Sequence, residues 1–132
     1  MIDTLQKSFR STALARLQDP RLFREFSYID GRWRAAASGE TLMVNDPSDQ
    51  RVLGSVPRMS TAESAEAVDA AQAAFADWST RLPQERSAIL RRWFDLLKQN
   101  RDDLALIMTL EQGKPLSEAR GEIDYAADFI EF

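Results

Sequence analysis

The sequence of 132 residues contains neither cysteine nor histidine. Without cysteine there is no disulfide, no CxxC redox pair and no thiolate nucleophile, and without histidine the commonest general base is missing. These two absences exclude Ser-His-Asp and Cys-His catalysis, as well as metal sites of the His-Glu-x-x-His type, within this sequence. The sequence therefore does not complete an active site of these kinds.

Glycine is scarce, and the five glycines do not have the spacing of a dinucleotide-binding or phosphate-binding loop. No apolar run is long enough to span a bilayer. The formal net charge is −4 with acidic and basic residues interspersed, so the basic face that nucleic acids require is missing. Residues 1–20 have some of the basic, serine-containing character of a transit peptide, but Asp3 and Asp19 disfavour that function. We expect a cytoplasmic protein that binds neither membranes nor nucleic acids.

The length favours one domain, whose parts are residues 1–20, 26–57 and 60–132. We predict an α+β fold with an N-terminal helix, a small antiparallel β-meander of two to four short strands, and three to four packed helices. In the first part, apolar residues recur at helical spacing. This spacing predicts an amphipathic helix from Ile2 to Gln18 that ends at Asp19-Pro20 and docks on a neighbouring surface.

The second part has the pattern of short strands joined by turns. Residues Phe26 to Ala35 are typical of a hairpin, because Asp30-Gly31 at its centre suits a two-residue turn with positive φ. Strands at Leu42–Val44 and Val52–Val56 follow, separated by the turn that begins at Asp46-Pro47. Together these segments predict one small antiparallel meander.

The third part has a helical pattern interrupted at three places. Ser60 and Glu63 have the spacing of a capping box at the first helix start. Leu82-Pro83 ends this helix and begins the next, and Asn100–Asp103 is expected to form a kink or cap between two helical pieces. Gly113 then stops the helix in the left-handed conformation.

Pro115 bars that helix from continuing, and a final helix follows at once. This helix reaches Phe132 without a capping residue, a pattern typical of a truncated segment. Gly121 within it costs about 1 kcal/mol relative to alanine, which indicates that another element packs closely there.

The aromatic residues of the helices follow the helical period, which favours core packing over a cofactor stack. They are Phe75, Trp78, Trp93 and Phe94. The second helix also has a wide apolar stripe that includes Ile89 and Leu97, and this width predicts burial on more than one side.

The charged residues of the helices favour surface roles. One basic group indicates a solvated helix face or a subunit contact rather than an anion site; it comprises Arg86, Arg91, Arg92, Lys98 and Arg101. Asp102 and Asp103, and likewise Glu118 and Glu122, offer pairs of carboxylates for acid/base chemistry. Because sequence neighbours on a helix point apart and i,i+4 glutamates usually lie on a wet face, we favour structural roles. Arg120 between the glutamates indicates surface charge pairing.

Three ordered blocks resemble the N-terminal segment of the aldehyde dehydrogenase superfamily, with the succinate-semialdehyde dehydrogenase branch nearest. They are Tyr28–Trp33, Arg91–Leu97 and Met108–Leu116. The resemblance runs through nearly the whole chain and implies an incomplete piece of that family's α/β fold. The sequence departs from the family at Asp46, where asparagine usually precedes the proline, and at Gln50, where a glycine is usual.

The resemblance implies an NAD(P)-dependent oxidoreductase that converts succinate semialdehyde to succinate, with glutarate semialdehyde as the alternative substrate. In this family a cysteine thiolate attacks the aldehyde, hydride passes to the nicotinamide, and water activated by a glutamate hydrolyses the thioester. That cysteine and glutamate lie beyond this sequence, so the resemblance implies no catalytic and no cofactor-binding residue in this segment.

On this interpretation the segment is an inactive scaffold that binds no NAD or NADP alone. Its expected partners are the remainder of the dehydrogenase chain and further copies in a homo-oligomer. The alternative is an independently folding interaction or oligomerisation module without catalysis.

Four positions match functional places in the family. Val44 and Glu111 correspond to residues that supply oxygen ligands to a structural monovalent cation, and the resemblance implies that a further ligand comes from outside this sequence. A strand valine and a glutamate near a helix end are also ordinary structural residues. Tyr125 and Phe129 correspond to the lining of the substrate tunnel, and core packing is the alternative for both.

Overall fold

The computed structural model describes residues 15–132. In this range four strands precede four helices: β1 Ser27–Ile29, β2 Arg32–Arg34, β3 Thr41–Asn45, β4 Val52–Pro57, α1 Thr61–Thr80, α2 Pro83–Gln99, α3 Arg101–Gln112 and α4 Leu116–Glu131. A short 3₁₀ turn, Pro20–Leu22, lies before β1. The predicted α+β class is confirmed. None of the helices described is long and apolar enough to cross a bilayer.

The predicted N-terminal helix falls mostly outside the described residues. Residues 1–14 lie outside them, and residues 15–18, which the sequence assigned to the end of this helix, form a turn followed by irregular chain and are not helical. Asp19 then caps the 3₁₀ turn, with its carboxylate accepting a hydrogen bond from the Arg21 N–H at 3.0 Å.

The strands form two separate antiparallel pairs. In the first pair, Ile29 lies opposite Arg32 across Asp30 and Gly31, whose φ angles are 50° and 73°. Positive φ at both central positions is the predicted hairpin turn. β3 pairs with β4 in the second sheet. The predicted strands are confirmed, but they form two hairpins rather than the single continuous meander that we predicted.

The loop between the two hairpins explains why they do not form one meander. This loop is hydrogen-bonded to a helix and not to a neighbouring strand. Ala37 donates its N–H to Oε1 of Glu63 at 2.8 Å. The other carboxylate oxygen of Glu63 accepts the Ser60 N–H at 2.8 Å, while Ser60 Oγ accepts the Glu63 N–H at 3.2 Å, which confirms the capping box. The buried Glu63 carboxylate thus joins the start of α1 to the loop before β3.

The helical core lies between α3 and α4. Ala105 and Ala119 are completely buried there, and Ile123 packs with them. Gly113 ends α3 with a φ of 76°, as predicted, and its N–H donates to the Thr109 carbonyl at 2.9 Å. Small side chains at the contact let the two helices approach closely, and α2 packs on the side of α4.

The break between α2 and α3 is confirmed at Asn100, which lies between Gln99 and Arg101. Asn100 has a φ of −102°, and its side-chain nitrogen donates to the Leu96 carbonyl at 2.8 Å. The same carbonyl accepts the Asn100 backbone N–H at 3.1 Å, so Asn100 closes the end of α2 with two hydrogen bonds to one acceptor.

The predicted core role of the helix aromatics is wrong for part of the set. Phe75 and Trp93 are 57% and 52% exposed, while Trp78 and Phe94 are half-buried. No residue of α2 is fully buried, so the burial on more than one side that we predicted is also wrong in the described part of the chain. Helical spacing predicts that such residues face a core, but residues 15–132 do not supply a layer that covers Phe75 and Trp93.

Gln50 offers a test of the second hairpin, because it has a φ of 61° without being a glycine. Substitutions Gln50→Gly and Gln50→Ala both remove the side-chain hydrogen bond to the Pro47 carbonyl. The glycine variant should be more stable than the alanine variant by about 1 kcal/mol in denaturant unfolding, since only glycine adopts this φ without a steric cost.

The matched control is the same pair of substitutions at Gln72, an exposed position inside α1. There the order should reverse, with alanine more stable than glycine by about 1 kcal/mol. Equal stability of the two Gln50 variants would contradict the turn geometry.

Glu63 should make stability depend on pH in the acid range. Hydrogen bonds from the backbone N–H groups of Ser60 and Ala37 lower the pKa of Glu63 from 4.5 to about 2. The stabilisation is therefore complete above the unfolded pKa and is lost as the pH falls from about 4.5 towards 2. Glu63→Gln should be less stable than the original chain at neutral pH, and this difference should shrink over that pH window in thermal unfolding.

Glu66→Gln on the same helix is the control, because Glu66 makes an exposed ion pair with Arg34 at 3.1 Å. Exposed pairs of this kind stabilise a fold weakly, so this variant should follow the pH profile of the original chain. The same profile for Glu63→Gln would contradict the anchoring role of Glu63.

Candidate functional site

The turn after β3 lies against the turn after α3. A Cβ atom placed on Gly113 would lie 3.0 Å from Pro47 Cγ, so a side chain there would have to displace the proline ring. Val44 is half-buried three residues before this proline and pairs with Gly54 across the hairpin. Glu111 lies in the last turn of α3. The contact therefore brings together the ends of the two elements that carry the predicted cation ligands.

Glu111 has an unusual environment for an exposed carboxylate. Nearby protein atoms remove part of its water, and this desolvation raises its pKa. A bound cation would lower the pKa of Glu111, because it stabilises the ionised carboxylate. Carboxylate and carbonyl oxygens suit a hard cation. Residues 15–132 bring together no group of three or more acidic, histidine or cysteine side chains that could hold a metal, so a site here would depend on backbone oxygens.

Tyr125 and Phe129 lie on an exposed side of α4. Their rings make an edge-to-face contact with centroids 4.8 Å apart, and the residues are 62% and 65% exposed. Together with Asp128 and Phe132 they line a cleft of about 370 Å³. The alternative that Tyr125 and Phe129 pack in a core is thus wrong within the described residues. They form an apolar surface that is available to a ligand or to another part of the protein.

Gly121 lies one turn before Tyr125 on α4. Apart from its chain neighbours and the backbone of its own helix, no atom of the described residues lies within 4 Å of a Cβ atom placed on Gly121. The close packing that we predicted at this glycine is therefore wrong for this part of the chain.

The basic residues of α2 and α3 face acidic residues of α4. Arg91 Nη1 lies 2.6 Å from Glu131 Oε1, and Lys98 Nζ lies 2.9 Å from Asp124 Oδ1. Arg101 Nη2 lies 2.7 Å from the other oxygen of Asp124. Hydrogen bonds from Arg101 and Lys98 lower the pKa of Asp124. These three basic side chains thus form ion pairs between helices on the surface, and such partly exposed pairs add only weakly to the packing of α2 and α3 against α4.

Asp102 and Asp103 point apart, as predicted. Asp102 is exposed and accepts a hydrogen bond from Arg120 Nε at 2.8 Å. Asp103 is buried, and its two oxygens accept the backbone N–H groups of Gln18 at 2.9 Å and Asp19 at 2.7 Å. Sequence reasoning missed this anchoring role, because nothing near Asp103 in the sequence indicates partners so far away. The one signal is an aspartate in the first turn of a helix.

The glutamates of α4 lie on the surface, as predicted, but their pairing differs from the expectation. Glu118 and Glu122 are both exposed. Glu122 pairs with Lys114, and Arg120 pairs with Asp102 instead of with its glutamate neighbours. Acid/base chemistry is therefore not supported by this group.

Known proteins are similar to this chain over most of its length. The chain is 51% identical over 116 residues to a glutarate-semialdehyde dehydrogenase of Pseudomonas aeruginosa. It is 50% identical over 117 residues to the NADP(+) succinate-semialdehyde dehydrogenase of Escherichia coli. These alignments cover 88% and 89% of this chain but 24% of each relative, so the chain spans about a quarter of the length of the curated relatives that it matches.

A solved structure has the same fold over this range. The succinate-semialdehyde dehydrogenase of Burkholderia pseudomallei superposes with a TM-score of 0.85 at 58% identity, over 88% of this chain and 24% of that enzyme. Structures of other relatives contain NAD+ or NADP. The model of the aldehyde dehydrogenase family matches residues 33–132. Sequence and fold agree over most of the described residues, and the chain therefore belongs to the aldehyde dehydrogenase family.

Proposed function

We propose that this chain is the N-terminal scaffold segment of a cytoplasmic, NAD(P)-dependent aldehyde dehydrogenase that oxidises succinate semialdehyde to succinate. The observation that carries this proposal is a family match over residues 33–132 in a sequence without cysteine. The chemistry that the resemblance implies needs a thiolate, so the nucleophile is supplied elsewhere in the protein and this chain alone is inactive. NAD or NADP is likewise held by other residues.

The exposed apolar side chains of the helices support the scaffold role. Phe75 on α1, Trp93 on α2 and Tyr125 on α4 are each more than half exposed. Large exposed apolar patches mark surfaces that another molecule or another part of the protein covers. The remainder of the dehydrogenase chain covers these faces, and further copies in a homo-oligomer cover what is left.

Tyr125 and Phe129 form part of the substrate tunnel in this proposal. Their edge-to-face contact fixes the two rings relative to each other, and aromatic walls suit the alkyl portion of an aldehyde substrate. The polar groups that bind the substrate's carboxylate come from other parts of the protein.

Glutarate semialdehyde is the alternative substrate. Relatives named for the two substrates are almost equally similar to this chain, at 51% and 50% identity. One methylene group changes binding by about 1–3 kcal/mol, so a small difference in pocket length decides between them. That pocket is completed outside this chain.

An interaction or oligomerisation module without catalysis is the second candidate. The same exposed side chains favour it, since a segment that folds alone would associate through them. This alternative predicts a stable oligomer of the isolated chain and no requirement for the remaining part of a dehydrogenase.

The proposal also includes a structural monovalent cation between β3 and α3. The Val44 carbonyl and the Glu111 carboxylate would supply two of its oxygens. Contact between Gly113 and Pro47 supports this location, because it holds together the two turns that follow these residues. Partial desolvation of Glu111 supports it further, since a carboxylate in that environment gains from a neighbouring cation.

A chimeric enzyme tests the scaffold role. This chain replaces the matching residues of the E. coli succinate-semialdehyde dehydrogenase, and aldehyde-dependent reduction of NADP+ is measured. The isolated chain should show no turnover, whereas the chimera should oxidise succinate semialdehyde. The E. coli remainder without any N-terminal segment is the control.

A second chimera carries the remainder of the P. aeruginosa glutarate-semialdehyde dehydrogenase. Each chimera should keep the substrate preference of the enzyme that supplied the remainder. Turnover by the isolated chain would contradict the proposal. So would a soluble, folded chimera that is inactive.

Thermal unfolding in different salts tests the cation. A ligand that binds only the native state raises its stability, so the chimera with the E. coli remainder should unfold a few degrees higher in KCl or NaCl than in choline chloride of equal ionic strength. Glu111→Gln should abolish this increment without lowering the transition in choline chloride, since its side chain no longer carries a partly desolvated charge. Glu118→Gln, at an exposed position of α4, should keep the increment. The same transition temperature in all three salts would contradict the cation site.

A further inference from the structure

The residues from Leu17 to Glu25, which we call the strap, run from the helical part to the second hairpin. At the first end, the buried Asp103 at the start of α3 accepts the backbone N–H groups of Gln18 and Asp19 at 2.9 and 2.7 Å. Leu17 is buried beside them. A buried carboxylate needs such donors to offset the loss of its water. Both donors belong to the strap, so Asp103 loses these two hydrogen bonds when the strap moves away.

The second end of the strap covers β4. Glu25 Oε1 accepts the N–H of Ser55 at 2.9 Å. The Phe23 ring lies so close to Gly54 that a Cβ atom on this glycine would be 2.9 Å from Phe23 Cε1. Because the Ser55 N–H bonds to Glu25 rather than to β3, it lies on the outer edge of β4.

The middle of the strap is held by local contacts. The 3₁₀ turn Pro20–Leu22 has no buried residue. Its backbone hydrogen bonds join Leu22 to Asp19 at 3.1 Å and Phe23 to Pro20 at 3.3 Å, within the strap itself. The strap is therefore anchored at its two ends with an exposed segment between them, which is the arrangement of a unit that can open while the rest stays folded.

We propose that the strap opens and closes as one unit. Asp103, which we call its latch, holds the strap closed through the Gln18 and Asp19 N–H groups, and the closed strap covers the outer edge of β4. β4 pairs with β3 alone in the described residues, so the Ser55 N–H on its other edge loses its acceptor when the strap leaves. Such an edge pairs with extended segments of other chains, and a carboxylate at Ser55 blocks that pairing. This device does not depend on the proposed dehydrogenase function.

Hydrogen exchange of the 132-residue chain, resolved to single amides, tests the proposal. Asp103→Asn puts an NH2 group in place of one acceptor oxygen. It should speed exchange of the Gln18, Asp19 and Ser55 amides about tenfold or more, because hydrogen bonds to a charged group are lost. The amides of Ile123 and Ala127 in α4 should keep their protection.

Glu25→Ala tests the coupling from the other end. It should speed exchange at Gln18 and Asp19, which Asp103 rather than Glu25 binds, because the strap leaves as a unit. Asp102→Asn is the matched control, since Asp102 lies next to the latch but pairs with Arg120 on the surface. That variant should leave the exchange of the strap amides unchanged.

Three results would overturn the proposal. One is fast exchange at Gln18 and Asp19 in the original chain. Another is an Asp103→Asn variant that frees these two amides but leaves Ser55 protected, which would mean that the ends open separately. The third is an equal loss of protection in the strap and in α4, which would make Asp103 a support of the whole fold. Trypsin cleavage after Arg21 and Arg24 gives an independent readout, and it should accelerate in both strap variants but not in Asp102→Asn.

Discussion

The left-handed turn at Gly113 is the constraint on which the helical part depends. A residue with a side chain would be strained at its φ of 76°, and a Cβ atom there would also press on Pro47. Two independent requirements for glycine thus meet at one position. The turn ends α3 and returns the chain as α4, so that Ala105 and Ala119 can be completely buried between the two helices. A larger side chain at either alanine would separate α3 from α4.

Three carboxylates, of which Glu63 and Asp103 are buried and Glu25 is half-buried, make the connections that the small core does not. Glu63 binds the N–H of Ala37 and joins α1 to the loop between the hairpins. Asp103 binds the strap to α3, and Glu25 binds the strap to Ser55 on β4. In each case the side-chain oxygens accept hydrogen bonds from backbone N–H groups that have no strand partner, so the donor and the acceptor satisfy each other. In residues 15–132 these polar anchors therefore join the hairpins to the helices beside the small apolar core between α3 and α4.

The helix surface has two kinds of contact groups, ion pairs and exposed aromatic side chains. Ion pairs such as Lys98 with Asp124 line one side of α4, whereas Tyr125 and Phe129 present an exposed aromatic pair on another side. The chain belongs to the aldehyde dehydrogenase family and spans about a quarter of the length of its relatives. An exposed aromatic face suits the scaffold role that we propose, in which the rest of the enzyme covers it. The contacts described in this segment are packing and positioning contacts, which agrees with the scaffold role that we propose.

The sequence by itself determined what depends on neighbours along the chain: the turn at Asp30-Gly31, the capping box at Ser60 and the stop at Gly113. Each is a local backbone requirement that a few residues fulfil, so the pattern predicts it directly. The tertiary structure decided which apolar faces are covered and where the carboxylates bind. Helical period puts Trp93 on an apolar face, but burial depends on whether another layer lies over it. Likewise, the partners of Asp103 lie 84 and 85 residues earlier in the chain, and only the folded backbone brings them within hydrogen-bonding distance.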